Sequence, residues 1–284
     1  VGYPGPWGTS FAEGVPPYQT QTPTHNSLHD PCYRPIGCLF LVPEGLGAAQ
    51  EEALRIQRAL GVPVERLSLE EARALLPFRD EGLAWATFGP IDGVIDPHGA
   101  TAFYLRRARP LGAEVRYAEP LLEAQRRRGV WWVRTSRTSL EAPYLLLATG
   151  AWTGEVGWRL GLDLPIWPVR RMVFATAALG LAHPFPLTVD LATGFYLRPE
   201  GPRVFFGRAN SREAPGFREG LDWSWLYPTL ETGLARFPLL EGAALDPDAN
   251  SIWTSGGAGH CLGRWVGPYA DSNFSSLSNR ENFN

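Results

Sequence analysis

Four consecutive residues, Thr149, Gly150, Ala151 and Trp152, have the types and the setting needed to bind a ligand. They follow the uncharged apolar run 144–148, which has the pattern of a strand buried on both faces. They lead into 152–160, which reads as a helix. Small residues let a backbone turn tightly or approach a ligand closely. Strand, small-residue turn and helix together form a crevice at the carboxyl end of an α/β sheet. There the first N–H groups of the helix suit a phosphate or an anionic ring edge. The same arrangement also serves packing alone in many α/β chains.

Other chemistries are excluded by composition and spacing. All 26 basic residues are arginine, so a Schiff-base or lysine-base mechanism is impossible. Cys32, Cys38 and Cys261 form no paired or zinc-like spacing, His183 and His260 have no partners at metal-ligand spacing, and His98 reads as an N-terminal helix residue, not an acid or base. No G-x-S-x-G elbow is present. A net charge of -3 argues against nucleic acid or a membrane surface as partner. Neither a signal peptide nor an apolar run long enough to cross a bilayer is found, and the cysteine usage fits a reducing compartment. The expected setting is therefore cytoplasmic. With 284 residues, 44% of them hydrophobic, the chain can bury a large core in one or two domains.

The elements that must position the turn can be read in chain order. Residues 1–31 are rich in Gly, Pro, Thr and Gln and read as irregular; Gly2, Gly5 and Gly8 follow no strand and open no helix. A strand over 36–42 precedes a helix over 47–60, and Ser68 with Glu71 forms a capping box for a short helix to Leu76. Then come a strand over 84–88, an extended loop to Pro97, a helix over 98–111 and a strand over 113–117. Alternating segments near 121–124, 130–135 and 139–141 follow, with Arg126, Arg127, Arg128 and Gly129 at a solvated hairpin tip. Beyond the central stretch, strands are predicted over 165–176, 187–189, 195–198 and 203–208, and an amphipathic helix over 222–237. Consecutive strands without intervening helices imply an antiparallel sheet, separate from the α/β layer. Arg170 and Arg171 read as surface or interdomain charges, and 272–284 as an unpacked tail.

Several pieces, in order, resemble one family: the FAD-dependent amine and amino-acid oxidoreductases of the D-amino-acid-oxidase, sarcosine-oxidase and glycine-oxidase type. They are YRPIGCLFLVPE (33–44), DGVIDP (92–97), GAEVRY (112–117), LLLATGAWTGEV (145–156), PIWPVRRMVFAT (165–176) and GFYLRPEGPRVFFGRAN (194–210). The resemblance implies an α+β fold in which part of an FAD-binding α/β layer joins an antiparallel substrate sheet. It implies non-covalent FAD beside Thr149, Gly150, Ala151 and Trp152, with Leu121 nearest the adenine. It places Tyr196 and Arg198 at the catalytic, substrate-facing position and Arg208 and Asn210 where a substrate carboxylate binds. A guanidinium fork matches a carboxylate in two parallel hydrogen bonds. The implied reaction is oxidation of a C–N bond in a small amine or amino acid by hydride transfer to the flavin.

The resemblance divides the chain into five parts: 1–32 irregular, 33–91 and 164–249 substrate domain, 92–163 FAD-binding remnant, and 250–284 divergent tail. Residues 1–31 carry no counterpart of the family's opening G-x-G-x-x-G unit. The segments at His260, Cys261, Leu262, Gly263 and at Asn273, Phe274, Ser275, Ser276 echo its closing turns only distantly. The expectation is an incomplete copy in which tight flavin binding is weakened. The alternatives are a non-catalytic remnant and a subunit whose nucleotide-binding half comes from another chain; homo-oligomerisation is the further partner expectation.

Overall fold

The structure is a computed structural model that describes residues 33–181, 183–218, 220–246 and 251–258. The expectations for 1–31, Cys32 and the segments from His260 to the end concern positions outside the described residues.

In chain order the elements are β1 (Tyr33–Arg34), β2 (Cys38–Pro43), α1 (Gly47–Ala59), β3 (Glu65–Leu67), α2 (Leu69–Leu75) and β4 (Leu83–Gly89). Next are β5 (Val94–Ile95), α3 (Pro97–Ala108), β6 (Leu121–Arg127), β7 (Val130–Thr135), β8 (Ser139–Ala142) and α4 (Thr153–Arg159). The last are β9 (Ile166–Ala175), β10 (Leu187–Asp190), β11 (Phe195–Glu200), β12 (Arg203–Arg208), α5 (Leu226–Arg236) and β13 (Ser251–Ala258). The fold is α+β, as the sequence implies.

An eight-stranded sheet in the order β13-β9-β12-β11-β10-β2-β4-β3 dominates. All its pairings are antiparallel except β10 with β2. Strand alternation explains its core, because side chains at every second position face the same way. Leu39, Leu41, Phe195, Leu197, Val204, Phe206, Met172 and Phe174 point to one face and pack with Phe237 and Leu240 beyond α5 and with Ala72 and Leu76 of the α2 segment. Phe195 sits between Phe206 and Phe237 at ring-centroid distances of 6.0 and 5.6 Å. Removing a ring of this kind costs about 3–5 kcal/mol. The helix comes this close because Gly233 of α5 has no side chain: a Cβ there would meet the Phe195 ring at 2.5 Å. Arg236, near the end of α5, pins the helix to the sheet through buried Asp190 at 3.1 Å. On the opposite face, α1 brings Leu54 against Val42 and Trp85.

Local signals succeed where the interaction is local. Ser68 accepts from the Glu71 backbone while Glu71 reaches back to the Ser68 N–H at 2.7 Å, which completes the capping box. Asp96 caps α3 through the His98 N–H at 3.0 Å. The hairpin turn falls at Arg128 and Gly129, both with positive φ, so Arg126 and Arg127 belong to β6 instead. The meander β6-β7-β8 forms a separate three-stranded sheet.

Three expectations are corrected. Residues 113–117 are irregular, not a strand. Residues 144–148 also form no ladder, and Tyr144 and Leu146 are each 87% exposed. A strand buried on both faces needs hydrogen-bonded neighbours and a covering layer on each side. Among the described residues neither run has them. Conversely, Ser251–Ala258, assigned to the tail, is a strand paired with β9 along its whole length.

Candidate functional site

Strand alternation sorts the residues expected to meet substrate. Phe195 and Leu197 are fully buried in the core, so Tyr196 and Arg198 lie on the other face of β11. The register sets Tyr196 opposite Gly207, Arg198 opposite Phe205 and Phe195 opposite Arg208. Arg208 is therefore on the helix-covered face, away from Tyr196 and Arg198. Its guanidinium stacks 4.8 Å over the Trp225 ring, and the Trp225 indole N–H donates to the Arg208 carbonyl at 3.0 Å. The Arg208 Nε is buried with no hydrogen-bond partner among the described residues. Asn210 is half-buried, and its Oδ1 accepts from the Arg212 N–H at 3.0 Å, closing a local turn.

Arg198 is paired with Glu200, which also accepts from Arg34 at 3.2 Å. The Arg198 guanidinium lies 5.0 Å above the Phe205 ring. Tyr196 differs, because its hydroxyl is buried and has no partner among the described residues. Burial pushes the phenol well above its usual range, with Arg198 and Arg171 pulling weakly the other way. Burial therefore favours the neutral, protonated phenol. A buried polar group left unpaired costs about 1–3 kcal/mol, so an orphan of this kind marks a ligand position or a strained site.

The small-residue turn is compact and open on one side. Gly150 to Trp152 form a single 3-10 turn, with Gly150 at φ +52°. Thr153 Oγ1 donates to the Gly150 carbonyl at 2.7 Å, and Thr149 Oγ1 to Thr153 Oγ1 at 3.1 Å. Ala151 is buried, whereas a Cβ on Gly150 would meet nothing within 4 Å. That open side is where a flat or anionic group could approach the backbone. Trp152 stacks on Phe217 at 5.0 Å. The turn and α4 pack against β9, and the turn also against β13. Strand β9 thus connects the turn to the sheet bearing Tyr196. Leu121 opens β6 in the separate three-stranded sheet, half-buried and paired with Thr135.

Arg170 needs the largest revision. Instead of a surface or interdomain charge it is a clamp within the expected substrate part, its side chain 10% exposed and that of its partner Glu213 3%. Two parallel bonds of 3.1 and 3.2 Å join them, and Arg170 Nη1 donates to the Gly220 carbonyl at 2.8 Å. This closes the base of the loop that carries Phe217. The partners are 43 positions apart, beyond any local signal. An open groove of about 530 Å³ lies on the α5 side, lined by Arg79, Glu81, Asp190, Thr193, Glu231 and Arg236. Its central charges already bind each other, since Arg236 bonds Asp190 at 3.1 Å. Among the described residues no cluster of three or more His, Cys, Asp or Glu could hold a metal, and no helix is long and apolar enough to cross a membrane.

The model of the family described as "FAD dependent oxidoreductase" matches residues 24–268, and the chain belongs to that family. A relative is mitochondrial dimethylglycine dehydrogenase of Mus musculus, 31% identical over 177 residues; the match covers 55% of this chain and 20% of the relative. Among solved structures, L-proline dehydrogenase from P. horikoshii has a TM-score of 0.69 at 20% identity, covering 80% of this chain and 61% of that one. Glycine oxidase from Geobacillus kaustophilus has a TM-score of 0.64 at 21% identity, covering 81% and 61%. This chain therefore spans a fifth of the mouse relative and under two thirds of either structure.

Proposed function

We propose that this chain carries the substrate sheet, and part of the flavin-contacting layer, of an enzyme that oxidises the C–N bond of a small amine or amino acid. In this reading 33–91 and 164–249 form the substrate part and 92–163 the cofactor part. The observation that carries it is the Tyr196 hydroxyl, protonated, buried and unpartnered among the described residues, on the sheet face away from the helical core. The membership of the family and its named relatives, which include a dimethylglycine dehydrogenase, glycine oxidases and a 4-methylaminobutanoate oxidase, supply the substrate class.

When bound, FAD would supply the hydride acceptor. Thr149, Gly150, Ala151 and Trp152 are the residues that would hold it, with Leu121 toward the adenine; the open side of Gly150 fits such a role. Tyr196 would donate a hydrogen bond to a substrate oxygen and, since it keeps its proton, would not serve as the base. Arg198 reaches the same face with its charge already shared with Glu200, so it would orient substrate in concert with that carboxylate. Asn210 is committed to a local turn, whereas Arg208 stacks on Trp225 from the helix-covered face and its buried Nε keeps an N–H without a partner among the described residues. A cytoplasmic setting belongs to the same proposal.

A second reading is that the nucleotide-binding half comes from another chain or segment. Tyr144, Leu146 and Trp158 favour it, being 87%, 87% and 77% exposed on the cofactor part. Exposed apolar surface of this kind marks a face built to be covered. The test is the visible absorption spectrum of the purified protein before and after adding FAD and desalting, followed by assays with dimethylglycine, sarcosine and glycine. Retained flavin bands with turnover support the first reading. Flavin retained only on co-expression with an N-terminal family fragment supports the second. No flavin under either condition identifies a non-catalytic remnant.

A further inference from the structure

Gly207 stands in the middle of β12, directly opposite Tyr196, and its backbone is ordinary extended strand. Glycine is unfavourable there unless something approaches closely, because it packs nothing and loses the most backbone freedom on folding. No positive φ accounts for it, so space must. A Cβ built on Gly207 would lie 2.5 Å from the Tyr196 hydroxyl oxygen and 2.8 Å from Cζ. The Tyr196 ring thus lies down across β12 instead of standing off the sheet, and its tip rests on the Gly207 backbone. The same Cβ would be 2.9 Å from the Met172 carbonyl oxygen of β9, so the space above Gly207 is bounded by the Tyr196 ring tip and by the backbone of β9. Strand β9 is the one against which the Thr149–Trp152 turn packs.

We propose that Gly207 is the positioning residue for Tyr196: the missing side chain is the saddle that lets the phenol cross β12 and present its hydroxyl beside β9. The functional weight of this rests on the reading of Tyr196 as a substrate contact; the geometry does not. Any larger residue at 207 lifts the ring out of its slot and toward solvent. The charged groups facing the phenol are Arg171 and Arg198, and neither hydrogen-bonds its hydroxyl.

The test counts ionising phenols by ultraviolet difference absorption on the folded protein. In the native chain Tyr196 stays silent while accessible tyrosines ionise near their usual value of about 10. In Gly207→Ala one additional phenol titrates in that range, and the increment disappears in Gly207→Ala/Tyr196→Leu. An unchanged count in a folded Gly207→Ala protein overturns the proposal. If Gly207→Ala does not fold, the double variant decides, since removing the ring frees the space. Recovery of the fold supports the saddle, and failure shows that the Met172 carbonyl alone demands glycine, which also overturns it. Loss of amine oxidation is a separate readout: a fully active Tyr196→Phe enzyme would defeat the substrate reading and leave the phenol count to decide Gly207.

Discussion

Two glycines of α4 permit a test of how the candidate cofactor turn is seated. A Cβ on Gly154 would be 2.9 Å from the Ile166 carbonyl carbon and closer still to its oxygen. Carbon atoms normally settle about 3.5–4 Å apart, so α4 must retreat from β9 by roughly an ångström. A Cβ on Gly157 would instead meet the end of the half-buried Leu164 side chain, at 2.7 Å from Cδ1 and 3.0 Å from Cγ. That side chain can rotate away for about 0.5–1.5 kcal/mol. Replacing glycine by alanine in a helix returns about 0.5–1 kcal/mol. Gly157→Ala is therefore close to neutral. Gly154→Ala carries an overpacking cost of about 1–3 kcal/mol against immovable backbone, and the most upon a direct carbonyl clash. We expect a difference between the variants of about 2–3 kcal/mol, or about 4–12 °C in Tm at roughly 2–4 °C per kcal/mol. Circular-dichroism melts of the two variants side by side measure it. Because Gly154 lies two residues past the end of the turn, Gly154→Ala should also lower any flavin retention, and Gly157→Ala should not. Equal stability of the two would refute the backbone contact and the seating of the turn on β9.

Two further expectations concern buried charge and a buried phenol. Glu213→Ala leaves the Arg170 guanidinium with only the Gly220 carbonyl at 2.8 Å and the more distant Asp222 carboxylate at 3.9 Å, and should cost about 3 kcal/mol in urea unfolding, whereas Arg170→Met/Glu213→Leu should lie near the native value. A double variant as unstable as the single one would refute the clamp. The alkaline limb of stability depends on Tyr196, whose phenol is raised by burial. Above about pH 10 the unfolded chain releases that proton while the folded chain keeps it, so stability present below this pH is lost as pH rises. Relative to Tyr196→Phe the native protein should lose up to about 1.4 kcal/mol per pH unit there, and parallel curves for the two would show that the phenol is not buried.

The capping box at Ser68 and Glu71, the long amphipathic run of α5 and the strands from β9 to β12 are all legible in the residues themselves. Each depends on neighbours a few positions away or on simple alternation. Tyr196 and Arg198 sharing a face, with Arg208 on the other, also follows from alternation once the register of β11 with β12 is known, but the register is a tertiary fact. The reading of 144–148 as a buried strand judged the residues correctly and their surroundings not at all, since an apolar run becomes a strand only when a partner supplies hydrogen bonds. Likewise 251–258 shows no strand pattern of its own and is one because β9 offers an edge. Arg170 looked like a surface charge because its partner Glu213 is remote in sequence, and Gly207 looked like any strand residue until Tyr196 was seen lying across it. What the sequence determined by itself was the family, the α+β class and the residue types available for chemistry, because these depend on ordered motifs and local periodicity. What only the tertiary structure decided was which of those residues meet, since ion pairs, cross-strand neighbours and the space a side chain may fill are set by positions far apart in the chain.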